Sequence, residues 1–214
     1  MRLFLFAVLF AGVSVCRAEP AEEIASIESR AVSGDAAAQF ALAEAYDNGR
    51  GVAKDEKRAA NWYEKAAAQG VVQAQYNIGI MYANGQGVPK DDRKAVAWYQ
   101  KAAGQGLARA QFNLGVMHAA GRGVPKNEKL AVEWYEKAAL HGLTLAQFNL
   151  GIANTLGHGT RKNSLLAYAW FDVAASSGDP SARNNRDFIE KMMSPEQKAQ
   201  GKKLSQEIAA KIKR

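Results

Sequence analysis

Residues 74–109 read AQYNIGIMYANGQGVPKDDRKAVAWYQKAAGQGLAR, and residues 110–145 read AQFNLGVMHAAGRGVPKNEKLAVEWYEKAALHGLTL, identical at 20 of 36 positions without a gap. The same step continues outward in both directions: Ala38, Ala74, Ala110, Ala146 and Ala182 lie 36 residues apart. Trp62, Trp98, Trp134 and Trp170 are all the tryptophans of the chain and keep that step, as do Gly49, Gly85, Gly121 and Gly157 and, two residues on, Gly51, Gly87, Gly123 and Gly159. A fixed period of this length marks a repeat architecture, in which one small unit stacks on copies of itself.

Each unit reads as two helices. In the first, Ala74, Ile78 and Met81/Tyr82 fall on one stripe of a 3.6-residue period, and Gly79 within it leaves room for a neighbouring helix to come close. Gly85 is placed to end that helix in the left-handed conformation, Gly87 to keep the connection flexible, and Val88 to fold back on the core. Asp91 or Asp92 then stands where an N-cap is needed, and Asp55, Asn127 and Asn163 occupy the position of Asp91. Ala95, Trp98/Tyr99 and Ala102 mark the buried stripe of the second helix, and Gly106 closes the unit.

One hairpin of this size cannot bury both faces of its helices, so the units must lean on one another. The expected fold is therefore all-α: a solenoid of stacked antiparallel helix pairs, with caps at its ends. Ile24, Ile27 and Ala31 predict a short capping helix from about Ala21 to Val32. Ser194-Pro195-Glu196-Gln197 combines a capping box with proline at the first helical position, and Leu204, Ile208 and Ile212 follow at four-residue spacing. The chain divides into a leader (1–18), an N-terminal capping helix (19–34), the repeat array (35–182) and a partial repeat with a basic capping helix (183–214).

The leader is read from Met1 and Arg2, the apolar run Leu3 to Val15, and Cys16-Arg17-Ala18. At about 13 residues the run is shorter than the roughly 20 needed to span a bilayer, and Cys16 and Ala18 put small side chains three and one residues before a signal-peptide cut after Ala18. Acylation of Cys16 is the alternative, opposed by Val15 and Arg17 on either side of it. Cleavage after Ala18 would remove the only cysteine, so the exported chain would meet an oxidising compartment without a thiol. The expected location is the periplasm or outside the cell. Of the 214 residues 48% are hydrophobic and mean hydropathy is −0.29, which excludes a disordered tail protein, a disulfide scaffold and a polytopic membrane protein. Lys and Arg number 28 against 21 Asp and Glu; residues 19–182 carry 17 of each sign, and 183–214 carry nine positive and four negative. The basic character thus belongs to the last segment.

Ala74-Gln-Tyr-Asn-Ile-Gly, the stretch Tyr82-x-x-Gly85-x-Gly87-Val88-Pro89-Lys90-Asp91, and Ala95-x-x-Trp98-Tyr99-x-Lys101-Ala102-Ala103 resemble the Sel-one-like repeat (SLR), a 36-residue relative of the tetratricopeptide repeat (TPR). The resemblance covers residues 35–182. His118 and Asn154 depart from the aromatic seen at Tyr46 and Tyr82, and Thr160-Arg161 from the Val-Pro or Val-Ala of the other units. It implies an SLR/TPR-like superhelix, and exported members serve as regulators of sensor kinases, assembly factors and host-interaction factors. It also implies an alternative, a β-lactam- or peptidoglycan-active enzyme, since cysteine-rich exported members have been associated with penicillin binding and hydrolysis. Their paired cysteines are missing here, and no serine begins S-x-x-K. A second alternative is an envelope-polymer binder acting through Lys202, Lys203, Lys211, Lys213 and Arg214, a set without interleaved aromatics that reads first as a solvated cap face.

No catalytic residue, metal site or cofactor is expected. His118, His141 and His158 occupy three different phases of the repeat, and the glycine-rich turns follow helices rather than strands. By analogy with the tetratricopeptide fold, the first helix of each unit lines a concave face. Two rows there are the candidate partner-binding residues: Glu44, Ile80, Val116 and Ile152, and Asn48, Asn84, Ala120 and Leu156. Both turn from polar to apolar along the array. Phe40, Tyr76, Phe112 and Phe148 form a third row, assigned to the core. The expectation is a monomeric adaptor that binds a protein partner, with no nucleic acid and no membrane-spanning segment after cleavage.

Overall fold

The computed structural model describes residues 20–212, and the expected signal segment 1–18 lies outside them. The described residues form eleven α-helices: α1 (Pro20–Val32), α2 (Ala36–Asn48), α3 (Glu56–Ala68), α4 (Val72–Asn84), α5 (Asp92–Gly104), α6 (Ala108–Ala120), α7 (Glu128–Leu140), α8 (Thr144–Leu156), α9 (Ser164–Ser176), α10 (Pro180–Glu190) and α11 (Pro195–Lys211). From α2 to α9 every helix has 13 residues, and each packs on the next in sequence to give an all-α solenoid of stacked antiparallel pairs.

The ends of these helices follow from single residues. Gly49, Gly85, Gly121 and Gly157 are left-handed C-caps of the first helices, with φ of 68°, 76°, 68° and 81°. Asp55, Asp91, Asn127 and Asn163 are the N-caps of the second helices, each side chain accepting from the backbone N–H three residues on. Asp91 is therefore the cap, and Asp92 is the first residue inside α5. The second glycine of each turn is not a flexible joint. A Cβ on Gly87, Gly123 or Gly159 would run into the backbone carbonyl of Glu56, Asp92 or Glu128, so the turn lies directly against the start of the preceding unit's second helix.

The core is built of small residues around buried rings, Tyr46, Tyr82 and Tyr168 among them. Tyr63, Tyr99 and Phe171 are fully or almost fully buried, and alanines fill the spaces between helices. Cβ atoms at Gly79, Gly115 and Gly151 would stand 2.6, 2.5 and 2.5 Å from the rings of Tyr99, Tyr135 and Phe171, which is why glycine recurs inside the first helix. Phe40, Tyr76, Phe112 and Phe148 are half-buried and pair with these rings at centroid distances of 5.6–6.0 Å. The tryptophans differ from the expected buried stripe. Trp62, Trp98 and Trp134 are half-buried, with Lys65, Lys101 and Lys137 ammonium groups 3.9–4.0 Å above their rings. Only Trp170 is buried, packed with Ile208, Leu204 and Ile212 of the last segment.

A glutamine ladder ties the units together. Gln39, Gln75, Gln111 and Gln147 are buried and donate through Nε2 to the carbonyls of Ala31, Ala67, Ala103 and Ala139 in the preceding helix. Gln39 and Gln75 accept in turn from Gln69 and Gln105 at 2.8 and 2.9 Å, and Gln111 from Nδ1 of His141 at 3.0 Å. The array ends differently from how it propagates. In the four units the second helix packs on its own first helix, whereas α11 packs on α9 rather than on α10. A Cβ at Gly201 would stand 2.6 Å from the Tyr168 ring, and Ser205 donates to Asp172 at 2.7 Å.

Candidate functional site

Among the described residues, hollows open on the face presented by the first helices at the front of the array and at two places farther along. The front hollow, about 230 Å³, is lined by Ile24 and Ile27 of α1, by Ala41, Glu44 and Ala45 of α2, and by Arg50 and Gly51. The second, about 190 Å³, lies between α4 and α6, with Ile80, Asn84, Asn113 and Val116 around Tyr99. The third, about 210 Å³, sets Asn149 and Ile152 of α8 beside Ala131, Val132 and Tyr135 of α7, with Glu128 and His158. The first predicted row, Glu44, Ile80, Val116 and Ile152, thus contributes to all three and is half-buried. Of the second row only Asn84 lines one of them, while Asn48, Ala120 and Leu156 stand exposed.

Two further rows belong to this face and are not among the residues predicted for it. Asn113 and Asn149 line hollows at the position of Ala41, and Asn77 continues their row. The signal was an asparagine recurring every 36 residues inside an otherwise apolar stripe. Burial pushes the Tyr99 hydroxyl up to about 12, with Asn113 opposing the shift, and the Tyr63 hydroxyl moves the same way opposite Asn77. The Tyr99 phenol stays protonated and presents a neutral polar floor to the second hollow. The other row is the middle residue of each turn, Arg50, Gln86, Arg122 and His158. Arg122 clamps Asp92 through two nitrogens at 2.6 and 3.2 Å and donates to the Ala83 carbonyl at 3.3 Å. Its guanidinium holds the Asp92 carboxyl below the usual carboxylate range.

The histidines do not converge: His118 is buried, His141 belongs to the ladder and His158 lines the third hollow. Among the described residues no three His, Cys, Asp or Glu side chains are placed to hold a metal ion, and no helix is long and apolar enough to cross a membrane. The carboxylates at helix starts are engaged by backbone N–H groups or by cations. What the face offers is a series of side-chain-sized recesses with mixed polar and apolar walls.

The Sel1 repeat pattern matches residues 36–71, 72–107, 108–143 and 144–179. This chain belongs to the Sel1 repeat family. Two solved structures are similar over most of its length. One is c5321, a protective antigen present in uropathogenic Escherichia coli strains and displaying an SLR fold, at 37% identity and a TM-score of 0.81 over 91% of this chain. The other is a Sel1 repeat protein from Oxalobacter formigenes, at 36% identity and a TM-score of 0.71 over 75% of this chain. The chain spans 42% of the length of the first and 66% of the second. No curated protein matches it in sequence. The Sel1 units tile α2 to α9 without a gap, so the hollows fall at corresponding places of a family repeat fold typically used for protein–protein interaction.

Proposed function

We propose that this Sel1 repeat protein is an exported adaptor of the bacterial envelope, directed there by residues 1–18, that holds a protein partner on its first-helix face. The observation that carries the reading is how the units differ from one another. Positions that build the frame repeat faithfully: the ladder glutamines, the two turn glycines, the ring-facing glycines of α4, α6 and α8. Two of the rows that line the hollows do not, running Glu44, Ile80, Val116, Ile152 in one and Arg50, Gln86, Arg122, His158 in the other, while the asparagine row stays constant between Asn113 and Asn149. Variation at these positions gives each recess its own wall chemistry at a fixed spacing. Recesses of fixed spacing and changing chemistry suit recognition of an extended or helical segment of another protein.

The test is photo-crosslinking in the native cell from positions 84 and 152, followed by identification of the captured species. The double variant Asn84→Arg with Ile152→Glu should weaken capture while leaving the helical circular dichroism spectrum unchanged. Capture that ignores both substitutions, or crosslinks only to murein, would overturn the assignment of this face.

A further inference from the structure

The two candidate rows do not end with the fourth unit. Phe188 and Met192 stand one further 36-residue step beyond Ile152 and Leu156. Helix α10 keeps the register of a first helix, since Ala182, one step beyond Ala146, is fully buried as Ala146 is. Phe188 is 64% and Met192 67% exposed, and Leu156, the fourth unit's residue in the row of Met192, is 48% exposed. Single exposed apolar residues are ordinary, but large ones in adjacent rows of one face form a patch that marks an interaction surface. Beside Met192 lies a hollow of about 90 Å³ walled by Leu165, Ile189 and Met193, a space for one side chain.

Charge says what the patch receives. A neighbouring row of the same face runs Asp47, Ala83, Ala119, Thr155, Lys191, so carboxylates at the front, Glu44 and Asp47, give way to a cation at the rear. Arg161 and Lys162 follow the fourth turn, with Lys162 lying against Gly157 immediately after Leu156. Arg161, Lys162 and Lys191 are exposed, and none of them forms an ion pair among the described residues. From this arrangement we infer that the rear of the face docks a segment of a partner protein in which large apolar side chains alternate with carboxylates. A second copy docked two-fold, patch to patch, would bring the same three cations against these, and like charges oppose that pairing. The inference rests on the adaptor reading and names the chemistry of its partner.

Two synthetic probe peptides of equal length test it, one alternating Leu and Phe with Glu and the other with Lys, titrated into the intact chain by fluorescence anisotropy. The Glu peptide should bind about ten-fold tighter or more, the scale expected of steering by a few charges. Phe188→Ser with Met192→Ser should weaken it by a similar factor, and Arg161→Glu, Lys162→Glu and Lys191→Glu together should reverse the preference. Asn48→Ser, at the far end, should change neither. All these positions are exposed, so circular dichroism should be unchanged. Equal affinity for the two peptides, or binding indifferent to Phe188 and Met192, overturns the inference. So does binding of phosphatidylglycerol–phosphatidylethanolamine vesicles, lost in Phe188→Ser with Met192→Ser, when neither peptide binds. In-cell crosslinks that persist in that variant sink this docking site alone, whereas no protein crosslinks from any position sinks the adaptor reading itself.

Discussion

Gln147 is the one ladder glutamine whose Oε1 finds no hydrogen-bond partner among the described residues. The reason is a neighbour one step out of pattern: Gln69, Gln105 and His141 supply the donor in the other units, and Ser177 stands at the fourth position. A buried acceptor left without a donor is costly, so Ser177→Gln, which restores the reach of Gln69 and Gln105, should stabilise the chain by about 1 kcal/mol in chemical denaturation. The same substitution in a Gln147→Leu background should give no such gain. Gln39, Gln75, Gln111 and Gln147 recur in every unit as plainly as the tryptophans do. They escape a reading by apolar periodicity because glutamine counts there as surface, although each sits beside a core alanine and donates to a backbone carbonyl, with a side-chain donor completing the set for Gln39, Gln75 and Gln111. The tryptophans escape it in the opposite direction, since Lys65, Lys101 and Lys137 cover rings that the periodicity assigns to the core.

At the level of the helix and its turn, the period and the capping residues were legible because each depends on a local backbone need. A left-handed glycine, an N-cap carboxylate or amide and a stripe of alanines are visible within a dozen residues. The turn's contact with the preceding unit was not, because Gly87 and Glu56 lie 31 positions apart and no property of either names the other. Arg122 reinforces that contact in one unit only, pairing with Asp92 at the start of α5. Its effect has a definite sign with pH. Asp92's carboxyl is held below its ordinary value of 3.8 in the folded chain, chiefly by the Arg122 hydrogen bonds. The pair's stabilisation is therefore complete above that value and is lost as pH falls through the lower, folded one. Arg122→Gln, which copies Gln86 of the previous unit, should lower Tm at pH 7, and the gap to the parent chain should close in acid below Asp92's titration. A gap that is constant from pH 7 to pH 2 would assign Arg122 a packing role instead, through its contact with the Ala83 carbonyl.

Across the whole molecule, stability in a stacked array is a sum of unit and interface terms, so the way the stack stops matters as much as how it repeats. The sequence keeps its register as far as Met192 and then loses it, because Lys191 to Ser194 replace the longer glycine turn of the other units. That shortening redirects α11 across α9, where Leu204, Ile208 and Ile212 bury Trp170 and Ser205 reaches Asp172. Leu204, Ile208 and Ile212 were readable as a stripe; the helix they would cover was not. Gly201 is the point of closest approach, 2.6 Å from the Tyr168 ring for an added Cβ. Glycine inside a helix is unfavourable by roughly 0.5–1 kcal/mol against alanine, and leucine is nearly as good a helix former as alanine, so Gly201→Leu would stabilise an α11 that merely sat in solvent. Against the buried Tyr168 it should instead force the helix off its seat. Hydrogen exchange should then show protection falling across α9 to α11 while α2 to α6 keep theirs, and the Trp170 fluorescence should shift to the red. A higher Tm with unchanged protection would mean that the array needs no cap at this end, and that α9 alone closes the stack.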